Sequence, residues 1–265
     1  ALSPYDHLGE LAQLPGLGLE GLEVAPSRVW KDTWQGLTPA EVSAYRKLVE
    51  DAGLKVVGLH SLLFDQPELG LFRDQETRRR TMDFMAHLSA VCRDLGGRTL
   101  IYGGGRHRGE LPLKEAAEEA VSFFQELFPR IEDHGTCFCF EPLGPRHTDF
   151  INSALESLSL VKTLNHPALQ VQLDAKALVD NNEAEAATFE AVAGHLTHFH
   201  ANEMDLGALG TSGDVDHQAM GAMLRQIGYK GYVSIEQRML NAADPLADVA
   251  KSAAVLRECY SSPAK

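Results

Sequence analysis

Seven short apolar runs recur along the chain, each rich in β-branched or aromatic residues and bounded by turn formers. They are Gly21–Pro26, Lys55–Ser61, Arg98–Gly103, Thr136–Pro142, Leu169–Ala175, His195–Ala201 and Tyr232–Glu236. Runs of that length and composition predict buried parallel strands. Between them lie stretches with apolar residues at helical spacing. Pro39–Ala52 follows Thr38, an N-cap with Glu41 three residues on, and stops at Gly53. Further helices are predicted over Asp74–Leu95, Leu113–His134, Ser153–Leu164, Ala184–Ala193, His217–Ile227 and Pro245–Cys259.

The predicted strand tips fall near Glu23, His60, Gly103, Glu141, Asp174, His200 and Glu236, spaced by 37, 43, 38, 33, 26 and 36 residues. Strict strand–helix alternation at a steady period indicates repeated βα units. A doubly wound open sheet would favour a GxGxxG turn after its first strand, and none stands there. Gly103-Gly104-Gly105 is a lone glycine run, read as a flexible loop with anion cradling as the alternative. The expectation is an α/β chain folded as a single (β/α)₈ TIM barrel over residues 1–265. Seven runs leave one strand to find. A short or truncated first strand ending in Ala1-Leu2-Ser3, followed by a helix over Tyr5–Leu14, fills the place.

Strand periodicity then orients the tips. Cys137, Cys139 and Glu141 share one side of their run, and Phe138 and Phe140 the other. Gln170, Gln172 and Asp174 alternate with Val171 and Leu173; Tyr232, Ser234 and Glu236 alternate with Val233 and Ile235. With the apolar members facing the helices, Glu141, Asp174 and Glu236 point into the barrel mouth. His200 stands near the tip of the run between Asp174 and Glu236. C-terminal strand ends share one face in a barrel, and active sites lie there. Three carboxylates at one level repel one another, so a cation among them is expected. Three oxygens and one imidazole suit one divalent ion, Mn²⁺, Co²⁺ or Mg²⁺, with Zn²⁺ as a further candidate.

The charge balance narrows the partners. Twenty-four basic against 37 acidic residues give a net charge of −13, which disfavours a nucleic-acid partner. No apolar run approaches the roughly 20 residues of a membrane helix, and the opening ALSPYDHLGELAQL has no leader-like apolar segment. Cys92, Cys137, Cys139 and Cys259 form no CxxC pair and are read as reduced, buried thiols of a cytoplasmic protein. A homo-oligomer is compatible with all of this.

The pieces FEP with Glu141, LQVQLD with Asp174, HFHANE with His200, GTSGDVD over Gly210–Asp216 and GYVSIE with Glu236 together resemble the xylose-isomerase-like TIM-barrel superfamily, in its sugar-phosphate isomerase/epimerase branch. The likeness runs from about Gly18 to the last helix. It implies one metal on Glu141, Asp174, His200 and Glu236. It also implies that Glu141 and Glu236 exchange a proton with the carbon of a keto-sugar or related polyol ketone, through an enediolate. Glu23, His60, Lys176 and His198 are the expected substrate contacts, His198 also being read as a partner of a ligand. Trp30 and Phe64 are candidates for an apolar wall. Two positions depart from the family. Ala177 stands where many members have histidine, and Leu206 where many ketose epimerases have arginine, which leaves the reaction subclass open. A dehydratase of an inosose or of a 3-dehydroshikimate-like compound, and a metal-binding barrel without catalysis, are the alternatives. The DNA-repair branch is disfavoured by charge and by Ala177 and Asp216 in place of histidines.

Overall fold

The computed structural model describes residues 1–261, so the last four positions of the expected domain lie outside it. Seven strands form one sheet in chain order, every neighbouring pair parallel. They are β1 (Gly21–Val24), β2 (Lys55–Leu59), β3 (Thr99–Tyr102), β4 (Cys137–Phe140), β5 (Leu169–Asp174), β6 (Leu196–Ala201) and β7 (Val233–Ile235). Helices cross over between them, so the sheet curls into a nearly closed TIM barrel. Each strand lies inside its predicted run, shorter by a few residues at the ends.

The predicted parity appears as two separate cores. Phe138 and Phe140 join the main cluster between strands and helices, where Phe124 from the helix Leu113–Leu127 meets them at 6.4 and 6.1 Å. Cys137 and Cys139 form a small interior cluster with Ile101 from the adjacent strand. Burying side chains the size of phenylalanine contributes about 1.5–3 kcal/mol each, so the outward layer fixes strand register. Register in turn sends Glu141 inward. All four cysteines are buried and free.

Local signals set the helix ends. Thr38 and Glu41 form the predicted capping box, and Ser153 and Glu156 form a second. Asp74 caps the helix Gln75–Asp94 by accepting from the Thr77 amide. The helix predicted to reach His134 stops at Leu127, with a 3₁₀ turn over Phe128–Arg130. Pro129 has no N–H to continue the ladder. A helix over Ala175–Asp180 that the pattern did not predict follows β5 directly.

The N-terminus departs from expectation. Ala1-Leu2-Ser3 is not a strand, and the helix expected over Tyr5–Leu14 shrinks to Leu8–Leu11. Tyr5 turns the backbone at φ 63°, and its amide donates to the Arg28 carbonyl, which directs the segment away from the sheet edge. The two sheet edges therefore face each other across a cavity of about 640 Å³, lined in part by Ala1, Ser3, Leu22 and Val233. All three residues of β7 are only half-buried for the same reason.

Candidate metal centre

Four strands deliver the expected residues to one place. The Glu141 amide continues the β3–β4 pairing by donating to Tyr102, and the Glu236 amide continues β6–β7 by donating to Ala201. Asp174 and His200 are the paired tips of β5 and β6. His200 Nδ1 sits at the centre. Glu236 Oε2 lies 3.5 Å from it, Glu141 Oε1 3.6 Å and Asp174 Oδ2 3.7 Å. The site can form because Gly103 faces it: a Cβ there would stand 2.1 Å from Glu141 Oε2.

The donor chemistry fits a cation. His200 Nδ1 is buried and has no hydrogen-bond partner. Its other nitrogen, Nε2, is engaged by Glu23 at 2.8 Å. An imidazole held in that way turns a free lone pair toward three carboxylates that stand beyond hydrogen-bond reach. Separations near 3.6 Å suit two ligands of one ion at about 2.1 Å from each. The nearest atoms of Glu141, Asp174 and His200 all lie within 4.8 Å of one another, in buried surroundings.

The electrostatics of the cluster follow from burial and charge. Desolvation, reinforced by Asp174 and Glu236, pushes the Glu141 carboxyl up to about 7. Asp174 is also raised, burial again being the first cause. Burial would raise Glu236 as well, but the His200 imidazole outweighs it and holds this carboxyl down to about 2. His200 is raised well above its ordinary value, since Glu23 and Glu236 overcome its desolvation.

Neighbouring groups hold the cluster in place. Asn202 donates through Nδ2 to Asp174 Oδ2 at 2.6 Å and to Glu236 Oε2 at 2.8 Å, and its Oδ1 accepts from the Lys176 amide. Asp174 Oδ1 accepts from the Ala177 amide at 2.8 Å. Arg106 is fully buried and spends its donors on main-chain carbonyls: Gly103 at 2.6 Å, Phe150 at 3.0 Å, Ile151 at 3.4 Å and Glu141 at 2.6 Å. Its guanidinium also lies 4.6 Å from the Phe140 ring centre. Glu203, likewise fully buried, accepts from the Gly210 amide, the Ser212 hydroxyl and His217 Nε2, which ties down the Gly210–Asp216 loop.

The expected substrate contacts separate into two groups. His60 stays at the mouth with its ring edge-on to His200 at 6.1 Å, and it lines a cavity of about 420 Å³ together with Glu141, His200 and Glu236. Glu23 and His198 instead stand behind His200, with Glu23 Oε1 3.1 Å from His198 Nε2. Lys176 pairs with Asp180 at 3.2 Å and with His147 at 3.1 Å. Phe64 is 77% exposed and lines the same cavity, whereas Trp30 packs on Tyr45 in the core. Leu206, with φ 56°, lines the larger cavity. Asn202, Arg106 and Glu203 were not anticipated. Asn202 could have been, because it follows His200 by two residues and strand parity turns it the same way.

Residues 11–259 match the family described as xylose isomerase-like TIM barrel. The L-ribulose 3-epimerase of Methylomonas sp. (strain DH-1) is 28% identical over 132 residues, which is 50% of this chain and 46% of that protein. The D-psicose 3-epimerase of Ruminiclostridium cellulolyticum is 26% identical over 142 residues, 54% of this chain and 48% of that protein. The matched segment thus spans about half the length of these relatives. Among solved structures, a D-psicose 3-epimerase with D-tagatose from Clostridium cellulolyticum H10 superposes with a TM-score of 0.80 at 19% identity, covering 97% of this chain and 94% of the other. The 3-keto-D-glucoside 4-epimerase from E. coli gives 0.80 at 19% identity, covering 95% and 94%. At such identities these superpositions establish the fold.

Proposed function

Because the chain belongs to the xylose isomerase-like TIM-barrel family, we propose that it is a divalent-metal-dependent epimerase or isomerase of a keto-sugar or related polyol ketone. The observation that carries this reading is the bare, buried His200 Nδ1 facing Glu141, Asp174 and Glu236. These four residues would hold the ion, with Mn²⁺, Co²⁺ and Mg²⁺ the first candidates and Zn²⁺ the next. When bound, such an ion supplies Lewis-acid polarisation of a substrate carbonyl.

The proton chemistry falls to Glu141 and Glu236, both on the wall of the same cavity. One carboxylate takes the proton from the carbon beside the carbonyl, and the electron pair moves onto the carbonyl oxygen to give the enediolate. The other glutamate returns a proton to the opposite face of that carbon, which epimerises it, or to the neighbouring carbon, which isomerises the sugar. His60 and the exposed Phe64 ring line the approach. Glu23 acts by holding the His200 ring, and His198 by holding Glu23, rather than by touching substrate. The sugar-epimerase relatives are consistent with this reading.

The test is metal-dependent proton exchange in D₂O across a panel of keto-sugars and cyclitol ketones. Glu236→Gln is expected to lower exchange by about 10²–10⁴-fold. Full turnover by that variant on a confirmed substrate would end the two-base scheme, and water loss in place of exchange would indicate a dehydratase.

A further inference from the structure

The cavity at the candidate metal centre is lined by groups of opposite character. Glu141, His200 and Glu236 border its 420 Å³, and Arg73 and His107 line it as well, together with Gly103, Gly104 and Gly105. Arg73 comes from the loop after β2 and His107 from the loop after β3. The Arg73 guanidinium is exposed and packs over Gly70, 3.4 Å from where a Cβ would stand. Its Nε donates to the Glu68 carbonyl at 3.2 Å and its Nη1 reaches the Phe72 carbonyl at 3.4 Å, which fixes the plane and leaves Nη2 without an acceptor among the described residues. It makes no ion pair with a carboxylate among those residues either. The neighbouring acids are otherwise engaged. Glu68 pairs with Arg80, Asp74 caps its helix, and Asp149 is held by the Arg108 and Gly109 amides, 3.9 Å from His107.

Arg73 is thus held by backbone carbonyls and lines the cavity with no carboxylate partner among the described residues. The glycine run gives it company. Gly104 has no atom within 4 Å of where a side chain would go, so its backbone is open to close approach. Gly105 takes φ 77°, a left-handed conformation in which successive amides can turn to one side. Cavities of this volume suit metabolite-sized ligands, and a planar guanidinium beside free amides is the usual means of holding an oxyanion.

We propose that the substrate of this site carries an anionic group, phosphate or carboxylate, at the end away from its carbonyl, held by Arg73, His107 and the Gly104–Gly105 backbone. The proposal rests on the reading above, which places the reacting carbonyl at the carboxylate–imidazole end. It separates this chain from enzymes of neutral keto-sugars, whose chain ends carry only hydroxyls.

The test uses the metal-loaded protein in two parts. Calorimetric titration with a hexitol, its 6-phosphate and the corresponding hexonate probes the anion end without turnover, because none has a ketone. The expected result is at least ten-fold tighter binding of one or both anions than of the hexitol, an advantage lost in Arg73→Gln and reduced in His107→Asn. Gly104→Val, which fills the open approach, should weaken the anions by a similar factor. The ranking of phosphate against carboxylate identifies the group. Equal affinities for all three ligands, or an advantage that survives Arg73→Gln, would overturn the proposal. The second part compares proton exchange in D₂O on a ketohexose and its 6-phosphate. If no keto-sugar exchanges while the Arg73-dependent preference holds, the anion end stands and the epimerase reading falls. If the neutral sugar exchanges as fast as its phosphate and Arg73→Gln leaves that ratio unchanged, the epimerase stands and the anion end falls.

Discussion

Replacing Arg106 by methionine isolates the part of the site that no metal ligand supplies. The change keeps most of the side-chain volume and removes every donor. Three main-chain carbonyls lose close bonds, those of Gly103, Glu141 and Phe150 at 2.6, 2.6 and 3.0 Å, and Ile151 loses a longer one. Stripping a buried acceptor of its donor costs about 1–3 kcal/mol; Phe150 keeps the Thr148 hydroxyl at 3.3 Å, so Gly103, Glu141 and Ile151 together cost about 3–9 kcal/mol. The contact with Phe140 adds about 1–2 kcal/mol when desolvated. Against this, a fully buried cation is no longer kept from water, which returns several kcal/mol. The expected net loss is about 3 kcal/mol, or a fall in Tm of about 6–12 °C at roughly 2–4 °C per kcal/mol. Arg106→Lys should recover only part, because an ammonium cannot span carbonyls on two separate loops. Urea unfolding and calorimetry measure the stability, and a Mn²⁺ titration reads whether Glu141 stays in place. A loss below about 1 kcal/mol with metal affinity unchanged would refute the claim that Arg106 clamps the Glu141 tip.

Three further outcomes are expected. Glu23→Gln should weaken metal affinity by about 10–100-fold, because it loosens the His200 ring while leaving all four ligands present; isothermal titration measures this, and an unchanged affinity would show that the Glu23–His200 contact does not serve the metal. A divalent ion at 100 times its dissociation constant should stabilise the chelator-treated protein by about 2.7 kcal/mol, seen as a rise in Tm that EDTA reverses. The pH response of the metal-free protein should have a definite sign. Glu141, raised by burial to about 7, contributes stability that is complete below about pH 4.5 and lost as pH rises through 7, whereas the stability from Glu236, lowered to about 2, is present above 4.5 and lost as pH falls toward 2. Urea unfolding with EDTA across this range should therefore show decline between pH 4.5 and 7, with metal affinity rising over the same interval as the ion displaces the Glu141 proton. A stability profile flat in that window would contradict the assigned environment of Glu141.

The alternation of apolar runs with helical stretches was sufficient to read seven strands, their order and the side each tip faces. Glu141, Asp174, His200 and Glu236 meet at one point because a period of two within each strand and a repeat of βα units between strands are both local properties of the sequence. What lies behind and around them was only partly legible: His198 was read as a partner of a ligand, but the contact that holds His200 was not. Glu23 and His200 are 177 residues apart and touch only because β1 and β6 approach across the barrel. Arg106 looks like any loop cation until the fold buries it among carbonyls that carry no side-chain signal. Pro129, by contrast, was visible, and its missing N–H group explains the shortened helix. The sequence by itself determined the barrel's strand order and its inward carboxylates, because side-chain alternation is set within each strand. Only the tertiary structure decided which groups hold those carboxylates and that the β1 and β7 edges stay apart, because these depend on contacts between distant segments that no periodicity records.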